Sequence, residues 1–372
     1  MRVTFVLPYA GLAGGIRVIA IYAERLKRRG HEVFLISVPR RNPKLRDRVR
    51  SLFPGGGRPV ISKKRPSHLD GVDVEHRVIE SVRPVTDDDV PDADVVVATW
   101  WETAEWVAAL SPAKGAKAYF IQGEILEYQP VDRVKATYLL AMHKIVISQW
   151  LLKLMRNTYG DARVSLVLNS VDTQQFHAPP RGKHPIPTVG MMYSRQPWKG
   201  CDISLEAFDL AKRRLGDLRL VAFGTGSPRE QLPLPDGTDY VKQPPQGSIK
   251  DLYAQCDVWL CGSRTEGFHL PPLEAMACRC PVVSTRVGGP SDVVEDGVNG
   301  YVVDTDDSAA LARRVVDVLT LPDSQWRAMS DAAYATATRY TWDQAAGLFE
   351  ASLITAIERS RQGETSDLPE QQ

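Results

Sequence analysis

Short runs of consecutive apolar residues, none of them alternating, are the feature that most constrains this chain. Val3–Leu7, Glu32–Val38, Asp94–Thr99, Ala118–Gln122, Lys144–Ser148 and Val164–Leu168 each have the length of a strand. A strand half-exposed to water alternates apolar and polar residues, whereas one buried on both faces does not. Amphipathic stretches such as Ile16–Arg29 and Val131–His143 lie between these runs. Buried strands joined by helices of ten or more residues predict a doubly wound α/β domain, a parallel sheet with helices on both faces.

The pattern then breaks and restarts. Ala178-Pro-Pro-Arg-Gly-Lys-His-Pro-Ile-Pro187 is proline-rich, polar and aperiodic, and reads as a linker. After it come strand-like runs at Thr188–Tyr193, Leu218–Phe223, Val258–Cys261 and Pro281–Ser284. Helical patterns at Ile203–Arg214, Ser248–Gln255 and Pro272–Cys278 separate them. With 372 residues the chain is long enough for two cores. We therefore expect one Rossmann-like domain over residues 1–178 and a second over 186–341. A helix over Trp342–Ser360 would return to the first, and the polar tail 361–372 would be disordered. Doubly wound sheets bind ligands beyond the carboxyl ends of their strands, so two of them facing each other would bind in the cleft between.

Charge and cysteine content exclude several classes. The formal net charge of +1 hides an asymmetry: between Arg17 and Arg65 fifteen Lys or Arg face only Glu24, Glu32 and Asp47. That stretch is either a solvated loop or an electrostatic dock for an anionic membrane or a lipid-linked acceptor. No aromatic interleaving or helix-turn-helix pattern accompanies it, which argues against nucleic acid. The five cysteines, Cys201, Cys256, Cys261, Cys278 and Cys280, form no C-x-x-C pair. They read as reduced core residues of a cytoplasmic protein rather than disulfides or zinc ligands. No apolar run approaches the roughly 20 residues of a spanning helix.

Three segments carry candidate chemistry. Gly11-Leu-Ala-Gly14-Gly15 follows the first strand and opens a helix, so its backbone amides suit a phosphate. It lacks the Gly-x-Gly-x-x-Gly spacing, and the second strand ends in Ser37-Val-Pro-Arg40 without the acid that would take an NAD ribose. Ser194-Arg-Gln-Pro-Trp-Lys-Gly200 offers Arg195 and Lys199, a forked and a point cation that together match a diphosphate. Arg264-Thr-Glu-Gly-Phe-His-Leu-Pro-Pro-Leu-Glu274 sets Glu266 in a loop before a proline-led helix. Glu274 should then fall in the first turn, where the helix dipole favours a carboxylate. The amides of Gly267, Phe268, His269 and Leu270 would form a second anion cradle. Two amide sets, two cations and two carboxylates make a device for a sugar nucleotide.

Glu266-x7-Glu274, Gly288-Gly289-Pro290-Ser291-Asp292 and Asp296-Gly297-Val298-Asn299-Gly300 together resemble the signature of family 4 of the retaining glycosyltransferases, of GT-B fold. Gly14-Gly15, Asn169-Ser-Val-Asp172, Glu206-Ala-Phe208 and Tyr340-Thr-Trp-Asp343 extend the likeness over the whole chain. The resemblance implies that Glu266 holds hydroxyls of the transferred sugar and Glu274 those of the ribose. It assigns the leaving diphosphate to Arg195 and Lys199, with Gly15 and the amides after Glu266, and the base to Val241–Gln243. It further implies transfer from a nucleotide sugar to a hydroxyl acceptor, with no cofactor and no metal.

Gln122 departs from that pattern, because many relatives carry a histidine there. A titratable group is replaced by an amide, which removes any histidine-based activation of the acceptor and leaves Gln122 to bind a hydroxyl. The segment Phe120-Ile-Gln-Gly-Glu124, with Pro197-Trp-Lys-Gly200, is shared with relatives that build rhamnose-containing polysaccharides. That tilts the donor towards dTDP-rhamnose over a UDP- or GDP-sugar, and makes Glu124 and Glu127 acceptor-side candidates. A sugar-nucleotide epimerase of the same shape and an NADP-dependent oxidoreductase are the alternatives from other classes.

Overall fold

The computed structural model describes residues 1–40, 66–123 and 129–364. Most of the basic stretch (41–65), Glu124, Glu127 and the tail from 365 onward lie outside the described residues.

The chain divides into two compact units. The first comprises Met1–Val146, Lys153–Val167 and Ala346–Gln372; the second comprises Ile147–Leu152 and Leu168–Ala345. Each is an all-parallel sheet built as the apolar runs require. In unit 1 the strands β1 (Arg2–Leu7), β2 (Glu32–Ser37), β3 (Glu75–Val78), β4 (Val95–Ala98), β5 (Ala116–Ile121), β6 (His143–Val146) and β7 (Ser165–Leu166) lie in the order 3-2-1-4-5-6-7. Helices α1 (Gly14–Arg28), α2 (Trp101–Ala109), α3 (Val131–Tyr138) and α4 (Gln149–Asn157) connect them.

Unit 2 repeats the plan. Its strands are β8 (Thr188–Met192), β9 (Arg219–Gly224), β10 (Asp239–Lys242), β11 (Val258–Cys261), β12 (Val282–Thr285) and β13 (Gly300–Val303), in the order 10-9-8-11-12-13. Between and after them run α5 (Cys201–Leu215), α6 (Ile249–Ala254), α7 (Leu270–Ala277), α8 (Pro290–Val293), α9 (Ser308–Thr320) and α10 (Asp323–Thr338). Its core packs Val189, Met191, Phe208, Leu220, Leu260, Val315 and Trp326, all nearly inaccessible to water. The five cysteines are buried and unbridged.

The last helix, α11 (Trp342–Gln362), returns to unit 1. Phe349 stacks on Tyr22 at 4.4 Å and meets Phe120 edge-on at 5.1 Å, while Glu350 pairs with Arg29 at 2.6 Å and His31 at 2.7 Å. The helix runs two residues beyond Ser360, into what had read as tail. No helix of the described residues is long and apolar enough to cross a membrane.

The stretch 178–187 is not a free connector, and unit 2 begins before it, at Leu168. Its polar groups are spent on unit 2. Asp257, fully buried, accepts from Arg181 at 3.1 Å and from the backbone of His184 and Thr188, each at 3.0 Å. Lys183 caps the last carbonyls of α9, donating to Leu319 at 2.9 Å and also to Leu321. A buried carboxylate needs such partners, and the polar composition that suggests a linker supplies them.

In each sheet the chain reverses direction of winding at one place, between β1 and β4 in unit 1 and between β8 and β11 in unit 2. Loops leaving the carboxyl ends of those strands diverge and open a crevice. The loop after β1 carries Gly14 and Gly15, the loop after β8 carries Arg195 and Lys199, and the loop after β11 carries Glu266.

Candidate functional site

In unit 2 the two switch-point loops are pressed together backbone to backbone. Gly200 sits at φ 52°, and a Cβ there would lie 1.7 Å from the Gly262 carbonyl oxygen. Gly262 in turn faces the Gly200 oxygen and Ser204 Oγ, each within 3 Å of where its own Cβ would be. Only glycine allows this approach.

The approach delivers Lys199 to Glu266. The ammonium donates to both carboxylate oxygens at 2.8 Å, and Ser263 Oγ donates to Oε1 at 2.8 Å. The Glu266 side chain is 8% exposed and that of Lys199 24%, so the pair is largely withdrawn from water yet open on one side. Burial alone would raise the Glu266 pKa; His269, Lys199 and Ser263 outweigh it and hold the carboxyl below its ordinary value. His269 Nε2 stands 3.6 Å from Glu266 Oε1. Burial depresses the imidazole to about 4, so it is neutral at pH 7, and its Nδ1 has no hydrogen-bond partner among the described residues.

His269 caps α7 in the left-handed region, at φ 71°. For a residue with a Cβ this conformation is costly and persists only where the surroundings hold it. The helix therefore begins at Leu270, earlier than the proline pair suggests. Two consequences follow. Pro271 and Pro272 remove two of the first-turn donors, leaving the amides of His269 and Leu270 for an anion. Glu274 falls in the second turn, not the first, and α7 has no acid in its first turn. What holds Glu274 is burial with a partner: its Oε2 accepts from the Tyr253 hydroxyl at 2.9 Å, and Tyr253 is itself packed edge-on against Trp259.

The loop between Glu266 and His269 is buttressed from two sides. Trp150 Nε1 donates to the Gly267 carbonyl at 3.1 Å. Gly289 N donates to the Phe268 carbonyl, and a Cβ on Gly288 or Gly289 would meet that oxygen at 2.7 or 2.6 Å. The Gly288-Gly289 pair thus serves as backing for the Glu266 loop rather than as a ligand cradle. Arg195 is exposed, and its guanidinium donates through Nε and Nη2 to the Ser227 carbonyl at 2.9 and 2.7 Å. Arg229 donates to the Arg195 carbonyl, and Lys242 to Ser227 Oγ at 3.2 Å. Val241 and Gln243 close the edge strand β10; Gln243 has φ 49° and its amide donates to the Gly224 carbonyl at 2.7 Å.

Unit 1 brings Gly15 and Gln122 together. A Cβ on Gly15 would lie 3.3 Å from Gln122 Nε2, so the amide lies directly over the opening of α1, whereas Gly14 is unobstructed. The loop before it is fixed by Arg40, whose Nε donates to the Ala10 carbonyl at 2.8 Å. Residues with no assigned role in the sequence reading prove structural to the site: Trp150, Ser263, Tyr253 and Arg264. Only the glycine pairs gave a signal that loops must meet; the side-chain partners gave none.

Residues 173–336, the greater part of unit 2, match the family "Glycosyl transferases group 1". The chain is 27% identical to the D-inositol 3-phosphate glycosyltransferase of Acidothermus cellulolyticus, over 91% of its length and 84% of that protein's. To the enzyme of the same name from Segniliparus rotundus it is 31% identical, over 44% of this chain and 38% of the relative. The chain thus spans well under half the length of some of these relatives and most of others. Among solved structures it superposes on Anabaena HepE in complex with UDP-glucose with a TM-score of 0.68, at 18% identity, covering 95% of this chain and 99% of that one. The two share the GT-B fold.

Proposed function

We propose that this chain, with a group 1 glycosyl transferase domain over residues 173–336, transfers a hexose or deoxyhexose from a nucleoside diphosphate sugar to a hydroxyl acceptor. The observation that carries the reading is the Lys199–Glu266 pair at the unit 2 switch point, with the His269 and Leu270 amides beside it.

Each group then has a task. Glu266, held ionised, accepts hydrogen bonds from hydroxyls of the transferred sugar, and neutral His269 adds an imidazole nitrogen beside it. Lys199 sits between that carboxylate and the scissile bond's phosphate. As the bond to the anomeric carbon breaks, charge gathers on the diphosphate. We assign that charge to Lys199 and the two amides, joined by Arg195, whose guanidinium lies on the Ser227 carbonyl. With these donors the departing dianion needs no divalent ion. Glu274, shared with Tyr253, takes the ribose hydroxyls, and Val241–Gln243 the base. To unit 1 we assign the acceptor, with Gln122 binding its hydroxyl, while Gly14, Gly15 and the amides opening α1 help to hold the leaving diphosphate. The anomeric configuration is retained, the acceptor attacking from the face the diphosphate leaves.

Two finer readings rest on separate supports. The Gln122 pattern favours a dTDP-deoxysugar donor such as dTDP-rhamnose. The names of the curated relatives favour a phosphorylated polyol as acceptor.

A thermal-shift panel of UDP, GDP and dTDP with their sugars tests the reading, because a ligand of the folded state stabilises it as RT ln(1 + [L]/Kd). We expect one nucleotide series to raise the melting temperature and release of the diphosphate only when a hydroxyl acceptor is present. An epimerase would turn over the sugar nucleotide alone. No shift with any series would refute the proposal.

A further inference from the structure

We propose that Arg264 is a positioning residue of the donor site, setting where Lys199 stands relative to Glu266. The inference rests on reading that pair as the donor site.

Three loops of unit 2 meet at this one guanidinium. Nη1 donates to the Pro197 carbonyl at 2.8 Å and to Asp202 Oδ1 at 3.0 Å; Nη2 donates to Asp202 Oδ2 at 2.6 Å. Nε donates to Asp306 Oδ1 at 2.6 Å. The Arg264 backbone amide adds a bond to the Trp198 carbonyl at 2.8 Å. Pro197, Trp198 and Asp202 bracket Lys199 on both sides along the chain, and Glu266 lies two residues beyond Arg264. The residue therefore ties the segment that carries the cation to the segment that carries the carboxylate. Asp306 is held at φ 60°, a conformation it adopts while accepting this bond.

The cluster has the wrong location for a stabilising device. Arg264 is 32% exposed and its two aspartates are about half exposed, so water and salt screen the pairs and their contribution to folding is small. Its geometric consequence is large. Lys199 must meet charge that appears only as the glycosidic bond breaks, and a displacement of about 1 Å of a positioned group slows such a step by about 10²-fold. Lysine cannot substitute, since a point ammonium lacks the planar fork that spans both Asp202 oxygens, a carbonyl and Asp306 at once.

The test pairs kinetics with a readout independent of turnover. In Arg264→Ala and Arg264→Lys we expect kcat to fall about 10- to 100-fold, with donor KM within about threefold. In a Lys199→Ala background, Arg264→Ala should cost almost nothing more, because its effect passes through Lys199. Asp202→Asn should give a partial version of the same loss. Independently, reductive methylation followed by peptide mass spectrometry reads how far Lys199 is sheltered. We expect Lys199 to be slow to modify in the wild type and several-fold faster in both Arg264 variants. Unchanged Lys199 labelling, or full additivity of the two substitutions, would overturn the inference. If labelling changes while the wild type turns over no sugar nucleotide, the positioning stands and the functional reading fails.

Discussion

The two units are wound alike and equipped differently. Both are parallel sheets in which the winding reverses next to the first strand, so both present loops at the same place. In unit 2 those loops carry a cation and a carboxylate joined by hydrogen bonds of 2.8 Å, with an imidazole 3.6 Å from the carboxylate, and glycines permit near-contact of the backbones. In unit 1 the loop after β1 carries two glycines and exposed Tyr9 and Leu12, and the uncharged amide of Gln122, just after β5, lies over Gly15. The difference matches the two halves of a group transfer. A leaving diphosphate demands preorganised charge, whereas an acceptor hydroxyl needs hydrogen bonds and room. On the proposed reading the ion pair built at one switch point, not the fold, separates the two roles.

The comparison can be broken at several points, and the largest effect lies in unit 2. Lys199→Ala should lower kcat by about 10²- to 10³-fold with little change in donor KM, read by steady-state kinetics, because the partner charge develops in the transition state. An equal loss from Gln122→Ala would contradict the division of roles.

Gly200→Ala comes next and reports on folding. Its Cβ would collide with the Gly262 carbonyl at 1.7 Å and its φ of 52° would be strained, so we expect a loss of about 3 kcal/mol by urea denaturation. The matching change in unit 1, Gly15→Ala, meets only the far end of Gln122 at 3.3 Å and should cost about 1 kcal/mol or less.

A third comparison is in pH. His269 has its pKa depressed by burial from 6.5 to about 4. The unfolded chain then binds the extra proton first, so stability falls as pH drops from about 6.5 towards 4. Glu266, held below its ordinary 4.5, contributes stability above that pH and loses it as pH falls through the lowered value. In His269→Gln the loss of melting temperature between pH 6.5 and 4 should shrink but not vanish. His143 of unit 1 is depressed to about 4, by burial first and by Arg359, and keeps its own share. An unchanged slope would mean that His269 is not neutral in the folded protein.

Tyr253→Phe removes one donor from the buried Glu274 carboxylate and should cost about 2 kcal/mol by urea denaturation, between the two glycine substitutions.

The sequence foretold some of this and hid the rest for physical reasons. Strands buried on both faces announce themselves as apolar runs, so β1, β2, β4, β5, β8 and β11 were legible to within a few residues. β3 was not, because Glu75-His-Arg-Val78 lies at a sheet edge and is mostly exposed. Nor was β13, whose Gly300-Tyr-Val-Val303 opens on a glycine and is only partly buried, so it makes no continuous apolar run. The proline-rich stretch 178–187 looked like a linker because composition does not reveal that a buried Asp257 consumes its donors. Glu274 was placed a turn too early because a proline pair marks a helix start only to within a few residues, and His269 begins α7 from a left-handed conformation no pattern announces. At the site, Arg195, Lys199 and Glu266 could be picked out as chemical types in loops. That Lys199 and Glu266 touch, and that Arg264 fastens their loops, depends on contacts between residues more than sixty apart.

Titration calorimetry on Glu266→Gln tests the central claim most directly, comparing the nucleoside diphosphate sugar that binds the wild type with the corresponding free diphosphate. Glu266 is assigned to the sugar and Lys199 to the phosphate. The substitution should therefore weaken the sugar nucleotide about tenfold or more while leaving the free diphosphate within about twofold. Equal weakening of both ligands, or no change in either, would contradict the account.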